Sequence, residues 1–192
     1  AKLRNEMRYE LKRIQSESGV TTVFVTHDQE EAFSLSDRIM LMNKGEVKQA
    51  GTSRDIWERP KTGFVADFVG IENLLSGTVE RSSDGPVVRI GNSTTLRPQT
   101  CGFAAGASVL VAVRAKDVSL DKPSQGGGAI TPNRLTGRIV NAEYRGERSA
   151  YRIDCDTLEK PFVALVDSSE RLSGEVVVSF EPSAVMVLHD DL

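Results

Sequence analysis

The stretch that decides the fold class is Val109-Leu110-Val111-Ala112-Val113, an apolar and largely β-branched run that is typical of a β-strand. A similar run recurs 67 residues later as Val176-Val177-Val178-Ser179-Phe180. Ahead of these runs, and in the same order, Leu75-Ser76-Gly77-Thr78-Val79 is matched 60 residues later by Leu135-Thr136-Gly137-Arg138-Ile139. The repeat predicts two similar five-strand units at about 73–123 and 131–190, and small barrels of the OB type suit this size.

The glycine-rich stretch Ser124-Gln125-Gly126-Gly127-Gly128 separates the two predicted units. The alternative interpretation is that alternating valines align with any other alternating valines by chance. From residue 71 onward the pattern is one of strands and turns in either case. We therefore expect residues 71–192 to form an all-β domain.

The first seventy residues have a different, mixed pattern. An amphipathic helix comes first, with an apolar face at Leu3, Met7, Leu11 and Ile14 and a predicted solvent face at Glu6, Arg8, Glu10, Lys12 and Arg13. The β-branched run at 20–26 then predicts a fully buried strand. Asp28 and Glu31 form a D-x-x-E pair that predicts a capped helix from 29 to about 36. Helix followed by buried strand is the pattern of an α/β domain.

Further elements complete this region. Asn43-Lys44-Gly45 predicts a hairpin turn, Thr52 or Ser53 predicts the cap of a short helix, and Phe64 to Val69 predicts another helix ending at Gly70. We place a domain boundary near residues 70 to 73. The predicted fold class is α+β, with a first domain at 1–70 and an all-β domain at 71–192.

Composition excludes several classes of function. The 192 residues contain 24 Lys+Arg against 27 Asp+Glu, a net charge of -3, so no basic field favours nucleic-acid binding. No stretch approaches the roughly 20 apolar residues that a bilayer span requires. Cys101 and Cys155 lack CxxC spacing and are interpreted as reduced thiols of a cytoplasmic protein.

A family resemblance rests on several short sequence motifs that occur in a fixed order. They are V-F-V-T-H-D-Q-E-E-A at 23–32, S-D-R-I at 36–39, M-N-K-G at 42–45, G-T at 51–52 and F-V-A-D-F-V-G at 64–70. Together they resemble the ATP-binding subunits of bacterial ABC importers for polyamines, sugars or ferric iron. Members of this family carry a C-terminal OB-like regulatory domain called TOBE. The resemblance covers 1–70 almost continuously and is looser beyond it.

The resemblance implies that this sequence is the C-terminal piece of such a subunit. Residues 1–70 would be the remnant of a P-loop ATPase domain, because no G-x-x-x-x-G-K-[ST] phosphate loop occurs in the sequence. The complete protein would use ATP and Mg²⁺ to drive solute uptake. The 192-residue chain alone is expected to hold no cofactor and no metal, and to be inactive as an ATPase.

The resemblance also assigns candidate site residues. His27 falls at the position of the family's switch-loop histidine, which would contact the γ-phosphate in the complete protein. The alternative is a structural histidine at the end of a strand. V-R-A-K-D-V at 113–118 is similar to the family's V-R-P-E-D-V and marks Arg114 and Asp117 as a candidate regulatory loop, although Ala115 and Lys116 depart from the pattern.

The implied partners are transmembrane permease subunits, a second copy of the chain and, indirectly, an extracytoplasmic solute-binding protein. The implied location is peripheral, at the cytoplasmic face of the bacterial cell membrane. Two other function classes stay open at this point: a small-ligand-binding module of OB type, and a purely structural dimerisation domain.

Overall fold

A computed structural model of the chain describes residues 2–91, 94–123 and 131–192. The chain divides into two compact units, Ala1–Lys61 and Thr62–Leu192. The glycine-rich stretch predicted to separate the β repeats lies outside the described residues. Within the described ranges, no helix is both long and apolar enough to cross a membrane.

The first unit contains three helices and one hairpin among its described residues. They are α1 (Lys2–Ser18), α2 (Gln29–Leu35), β1 (Ile39–Asn43), β2 (Glu46–Gly51) and α3 (Ser53–Glu58). Lys44 and Gly45, which join β1 to β2, have φ values of 49° and 82°, so the turn requires the left-handed region at both positions. Thr52 caps α3 through a reciprocal capping box with Asp55. The hairpin and the capped helix are as the sequence predicts.

The buried strand predicted at 20–26 is not present. This segment has no strand assignment, and Val23 and Val25 are 88% and 91% exposed. A strand is stable only when its backbone groups pair with a neighbouring strand and its side chains are covered on both faces. Among the described residues of the first unit, the only sheet is the β1–β2 hairpin, which does not include this segment.

The predicted solvent face of α1 is partly wrong. Arg8 is only 9% exposed and, like Lys12, it forms an ion pair with a residue of the segment that contains α2. The apolar residues Leu3, Met7, Leu11 and Ile14 are instead 49% to 70% exposed. Periodicity identified the two faces of the helix correctly, but it could not identify which face has a neighbour.

Among its described residues, the second unit begins with one short α-helix and continues with ten strands. They are α4 (Gly63–Phe68), β3 (Asn73–Ser82), β4 (Gly85–Ile90), β5 (Thr94–Leu96), β6 (Ser108–Val113), β7 (Ser119–Asp121), β8 (Asn133–Tyr144), β9 (Arg148–Asp154), β10 (Phe162–Asp167), β11 (Glu175–Phe180) and β12 (Met186–Leu188). Helix α4 lies in this unit, and its Val65 and Ala66 are fully buried. The unit therefore starts several residues before the boundary that we predicted near residue 70.

The ten strands form two five-stranded antiparallel sheets with equivalent orders, β12-β6-β3-β4-β5 and β7-β11-β8-β9-β10. Each sheet takes its first strand from the other half of the sequence. The registers also correspond, because Gly77 lies opposite Val109 in one sheet and Gly137 lies opposite Val176 in the other. The repeat thus does not correspond to two self-contained barrels.

One hydrophobic core is shared by both sheets. Val111 of β6 and Val178 of β11 are fully buried in it, and the rings of Phe162 and Phe180 stack with centroids 5.6 Å apart.

The C-terminal tail packs against the same unit: Gly63 N–H donates to the His189 carbonyl at 2.8 Å, and the His189 ring meets Phe103 edge-on at 4.8 Å. The C-terminal tail is therefore an integral part of this unit.

Two glycines at matching positions permit close approach between neighbouring strands. A Cβ atom on Gly137 would lie 2.6 Å from the Asp154 carbonyl oxygen, and one on Gly77 would lie 2.8 Å from the Arg89 carbonyl oxygen. Backbone atoms at this distance cannot move aside without disturbing the strand pairing. Both glycines are therefore required by packing.

We predict that Gly137→Ala lowers the free energy of unfolding by about 1–3 kcal/mol, because the added methyl group overpacks a backbone contact. Gly102→Ala is the matched control, since a Cβ there meets nothing within 4 Å. Urea unfolding of the two variants measures the difference. Equal stability of the two variants would show that the strand separation at Gly137 relaxes freely.

Candidate functional site

His27 lies on an exposed segment immediately before α2. Its neighbours on both sides are anchored. The Asp28 N–H donates to the Thr26 hydroxyl at 3.0 Å, and the Thr26 hydroxyl donates to Glu31 Oε2 at 2.6 Å. The imidazole is thus presented on a short stretch of backbone that local hydrogen bonds hold in place.

Asp28 is the N-cap of α2, as predicted. Its Oδ1 accepts the Glu31 N–H at 3.2 Å, and this backbone hydrogen bond is the main reason that the pKa of Asp28 is lowered. In a complete capping box the Glu31 carboxylate would accept the Asp28 N–H. Here it accepts the Thr26 hydroxyl instead. The Thr26 hydroxyl therefore links the Asp28 N–H to the Glu31 carboxylate, a contact that the sequence pattern did not predict.

The described residues contain no cluster of three or more His, Cys, Asp or Glu that could hold a metal ion. The exposed His27 ring could contact a phosphate oxygen, but a phosphate cradle is missing from the sequence.

The structure brings the candidate regulatory residues Arg114 and Asp117 to one turn, the 3-10 helix Ala115–Asp117 that follows β6. Arg114 is 8% exposed, and burial lowers its pKa while the charges of Asp117 and Glu72 oppose that shift. The Asp117 N–H donates to the Arg114 carbonyl at 3.0 Å, and Glu72 Oε2 accepts the Ala115 N–H at 3.1 Å. Sequence reasoning missed Glu72, for which there was no motif signal.

A cavity of about 250 Å³ lies beside this turn. Its lining combines the charged residues Glu72, Arg145 and Arg152 with the apolar side chains of Val163 and Leu165. Arg145 also bonds to Glu143 at 2.9 Å, an ion pair that raises the pKa of Arg145 and lowers that of Glu143. The cavity could hold a small polar molecule.

The corresponding region of the other sheet has a different set of contacts. Asn73 pairs with the backbone of Val163 on β10, and Asn133 pairs in the same way with the backbone of Arg97 after β5. Two residues beyond Arg97, the Gln99 N–H donates to the Pro182 carbonyl at 2.9 Å. The two halves thus share the asparagine contacts, and the Gln99–Pro182 hydrogen bond lies in the region that corresponds to the charged cavity.

The two cysteines take no part in either candidate site. Both are free thiols, in line with the expectation of reduced cysteines. Cys155 is fully buried, and burial, with smaller contributions from Asp154 and Asp156, raises its pKa to about 11. A thiol reacts as its thiolate, so Cys155 is not a nucleophile near neutral pH.

Comparison with known proteins identifies first the class of the β unit. Residues 111–188 match the TOBE domain family. Among solved structures, the cytoplasmic molybdate-binding protein ModG, determined with molybdate bound, is 18% identical with a TM-score of 0.55, covering 62% of this chain and 97% of that protein. At this identity the likeness concerns the fold alone. The second unit is an OB-like TOBE domain.

Curated relatives match nearly the whole chain. The spermidine/putrescine import ATP-binding protein PotA of Onion yellows phytoplasma is 37% identical over 97% of this chain and 42% of that protein. PotA of Borreliella afzelii is 34% identical over 99% and 51%, and PotA of Marinobacter nauticus is 35% identical over 95% and 45%. Over nearly its whole length the chain is thus similar to the ATP-binding subunits of ABC importers. It spans about half the length, or less, of these relatives.

We predict that Ellman's reagent at pH 8 modifies Cys101 in the folded chain and leaves Cys155 unmodified, because only about one Cys155 thiol in a thousand is ionised there. The Cys101→Ser variant should show almost no reaction until urea exposes Cys155. Because folding raises this pKa from 9.0 to about 11, the thiol's contribution to stability is complete below pH 9 and is lost as the pH rises toward 11. Rapid labelling of Cys155 at pH 8 would contradict the observed burial.

Proposed function

We propose that this chain is the C-terminal part of the ATP-hydrolysing subunit of an ABC importer. Similarity to such subunits over nearly the whole chain carries the proposal, and the His27 segment supports it. In the complete subunit, ATP and Mg²⁺ would be held mainly by residues outside this chain, and His27 would contact the terminal phosphate. An imidazole there would orient the reacting groups and stabilise developing charge. The chain alone would be inactive.

The exposed apolar surface of the first unit supports the same proposal. The apolar face of α1 and the side chains of Val23 and Val25 are open to solvent, although an apolar face normally packs against another element. The relatives are about twice as long as this chain. We propose that the remainder of an ATPase domain covers this surface and pairs with the segment 20–26 as a strand, which makes 1–70 part of that domain.

The partners and location follow from the proposed function. The subunit would bind transmembrane permease subunits at the cytoplasmic face of the cell membrane and act with an extracytoplasmic solute-binding protein. The names of the relatives mention spermidine and putrescine, so polyamines are the first solutes to test. Nucleic acid is not among the proposed partners, given the net charge of -3.

We predict that His27→Ala in the full-length protein lowers the rate of ATP hydrolysis by about 10²–10³-fold and leaves nucleotide affinity nearly unchanged, because the contact acts on charge that develops in the transition state. His189→Ala is the matched control, since these are the two histidines of the chain. Phosphate release and nucleotide titration measure the two effects. Unchanged hydrolysis in His27→Ala would refute the proposed role.

A second role is proposed for the TOBE domain, namely self-association with a second copy. The outer strands of its sheets, β12, β5, β7 and β10, are edges, and three of them are only three residues long. Pairing across a two-fold axis is one way to protect such edges. The regulatory domain proposed at 71–192 contains all of these strands.

We predict that a chain comprising 62–192 is dimeric by light scattering at tens of micromolar. It should begin at Thr62, because α4 packs in this unit and Gly63 lies against Leu110. The alternative, a small-ligand module, predicts a melting temperature that rises with molybdate or spermidine. A monomeric 62–192 beside a dimeric 192-residue chain would assign the contact to the exposed face of α1.

A further inference from the structure

Three basic residues on α1, which we call the basic stripe, face the segment that contains His27 and α2. They are Arg4, Arg8 and Lys12, spaced four residues apart and therefore on one side of the helix. Arg4 Nη1 lies 3.3 Å from Asp28 Oδ2, and Lys12 Nζ lies 2.9 Å from Asp37 Oδ1 and 3.1 Å from the Leu35 carbonyl. The stripe therefore holds both ends of the segment 28–37.

Arg8 occupies the middle of the basic stripe and is its most buried member. Its side chain is 10% exposed, against 67% for Arg4 and 34% for Lys12. Nη1 donates to Glu30 Oε2 at 2.7 Å, and Nη2 lies 3.6 Å from Asp28 Oδ1. A planar guanidinium can serve two carboxylates in different directions at once, which an ammonium group at this position would do less well.

The same Asp28 oxygen connects Arg8 to the backbone beside His27. Asp28 Oδ1 accepts the Glu31 N–H while it faces Arg8, and the Asp28 N–H is bound by the Thr26 hydroxyl. His27 therefore lies in the chain between two residues that hydrogen bonds hold in place, Thr26 and Asp28. The buried guanidinium of Arg8 faces Asp28. Burying such a cation is costly unless it is paired in a well-defined geometry.

We propose that Arg8 is a positioning residue for His27, acting through Asp28. The proposal rests on the role proposed above for His27. Arg8 would fix the carboxylate of Asp28, and thereby the backbone of 26–28, so that the imidazole points in one direction. The competing explanation is that Arg8 only docks α1 onto α2, a role that it would share with Lys12.

The first test compares Arg8→Met with Lys12→Met in the full-length protein. Each variant removes one cation of the basic stripe, and of these two cations Arg8 contacts Asp28, the residue next to His27, whereas Lys12 contacts Asp37. Arg4, which also contacts Asp28, is unchanged in both variants. Arg8→Met should lower kcat about 10- to 100-fold with nucleotide affinity unchanged, the effect expected of a misplaced reacting group. Lys12→Met should stay within about twofold, because its partly exposed pair contributes little. Equal effects of the two variants on kcat would refute the proposal.

The second test needs no activity and uses the 192-residue chain. Hydrogen exchange at the Glu31 and Asp28 amides reports directly on the two hydrogen bonds beside His27. Arg8→Met should lose protection at these amides, Arg8→Lys should regain part of it, and Lys12→Met should keep it. If both proteins are folded and these amides are equally protected in the wild type and in Arg8→Met, the proposal is overturned.

The two proposals fail in different ways. If His27→Ala leaves hydrolysis unchanged, the role of His27 is wrong whatever Arg8 does. If His27→Ala abolishes hydrolysis while Arg8→Met behaves like Lys12→Met in turnover and in amide exchange, His27 keeps its role and only the positioning role of Arg8 is refuted.

Discussion

The exchange of strands β7 and β12 is the constraint on which the TOBE unit depends. Each of these three-residue strands completes the sheet that belongs to the other half of the sequence. Neither half can therefore complete its sheet alone, and the core between the sheets is buried only when both halves are present. Two buried asparagines reinforce this dependence. Asn73 and Asn133 each satisfy their side-chain amide with backbone groups at the edge of the opposite sheet.

This shared framework lets the two halves differ locally. Gly77 and Gly137 keep matching close contacts, because a side chain at either would disturb strand pairing. Strand pairing does not fix the contacts beside the turn after β6 and in the corresponding region near Gln99, because side chains and turns make them. One half has the hydrogen bond from Gln99 to Pro182 in this region, and the other has the charged cavity beside Arg114 and Asp117. The two halves of the repeat therefore differ in local contacts while they keep the same strand order.

Ion pairs connect α1 to the His27 segment in the first unit. Arg8 is held by two carboxylates, whereas the apolar face of the same helix is exposed. The arrangement suits a segment whose apolar face packs elsewhere in a larger domain, and whose ionic face keeps α1 and the His27 segment together. The proposed positioning role of Arg8 is a consequence of this geometry: the buried cation and the exposed imidazole are linked through one aspartate.

Local features of the fold follow from patterns in the sequence. Turn residues fixed the β1–β2 hairpin, the hydroxyl of Thr52 and the carboxylate of Asp28 fixed helix starts, and alternating valines fixed the strands of the TOBE unit. These depend on contacts within a few residues, which a pattern records. Only the tertiary structure decided which partner each surface meets. The run at 20–26 has strand composition but lacks a described strand to pair with, and Arg8 lies on a helix face that periodicity assigned to solvent. The strand exchange, the place of Glu72 and the buried Arg114 are also set by contacts between residues distant in the sequence, which local patterns cannot encode.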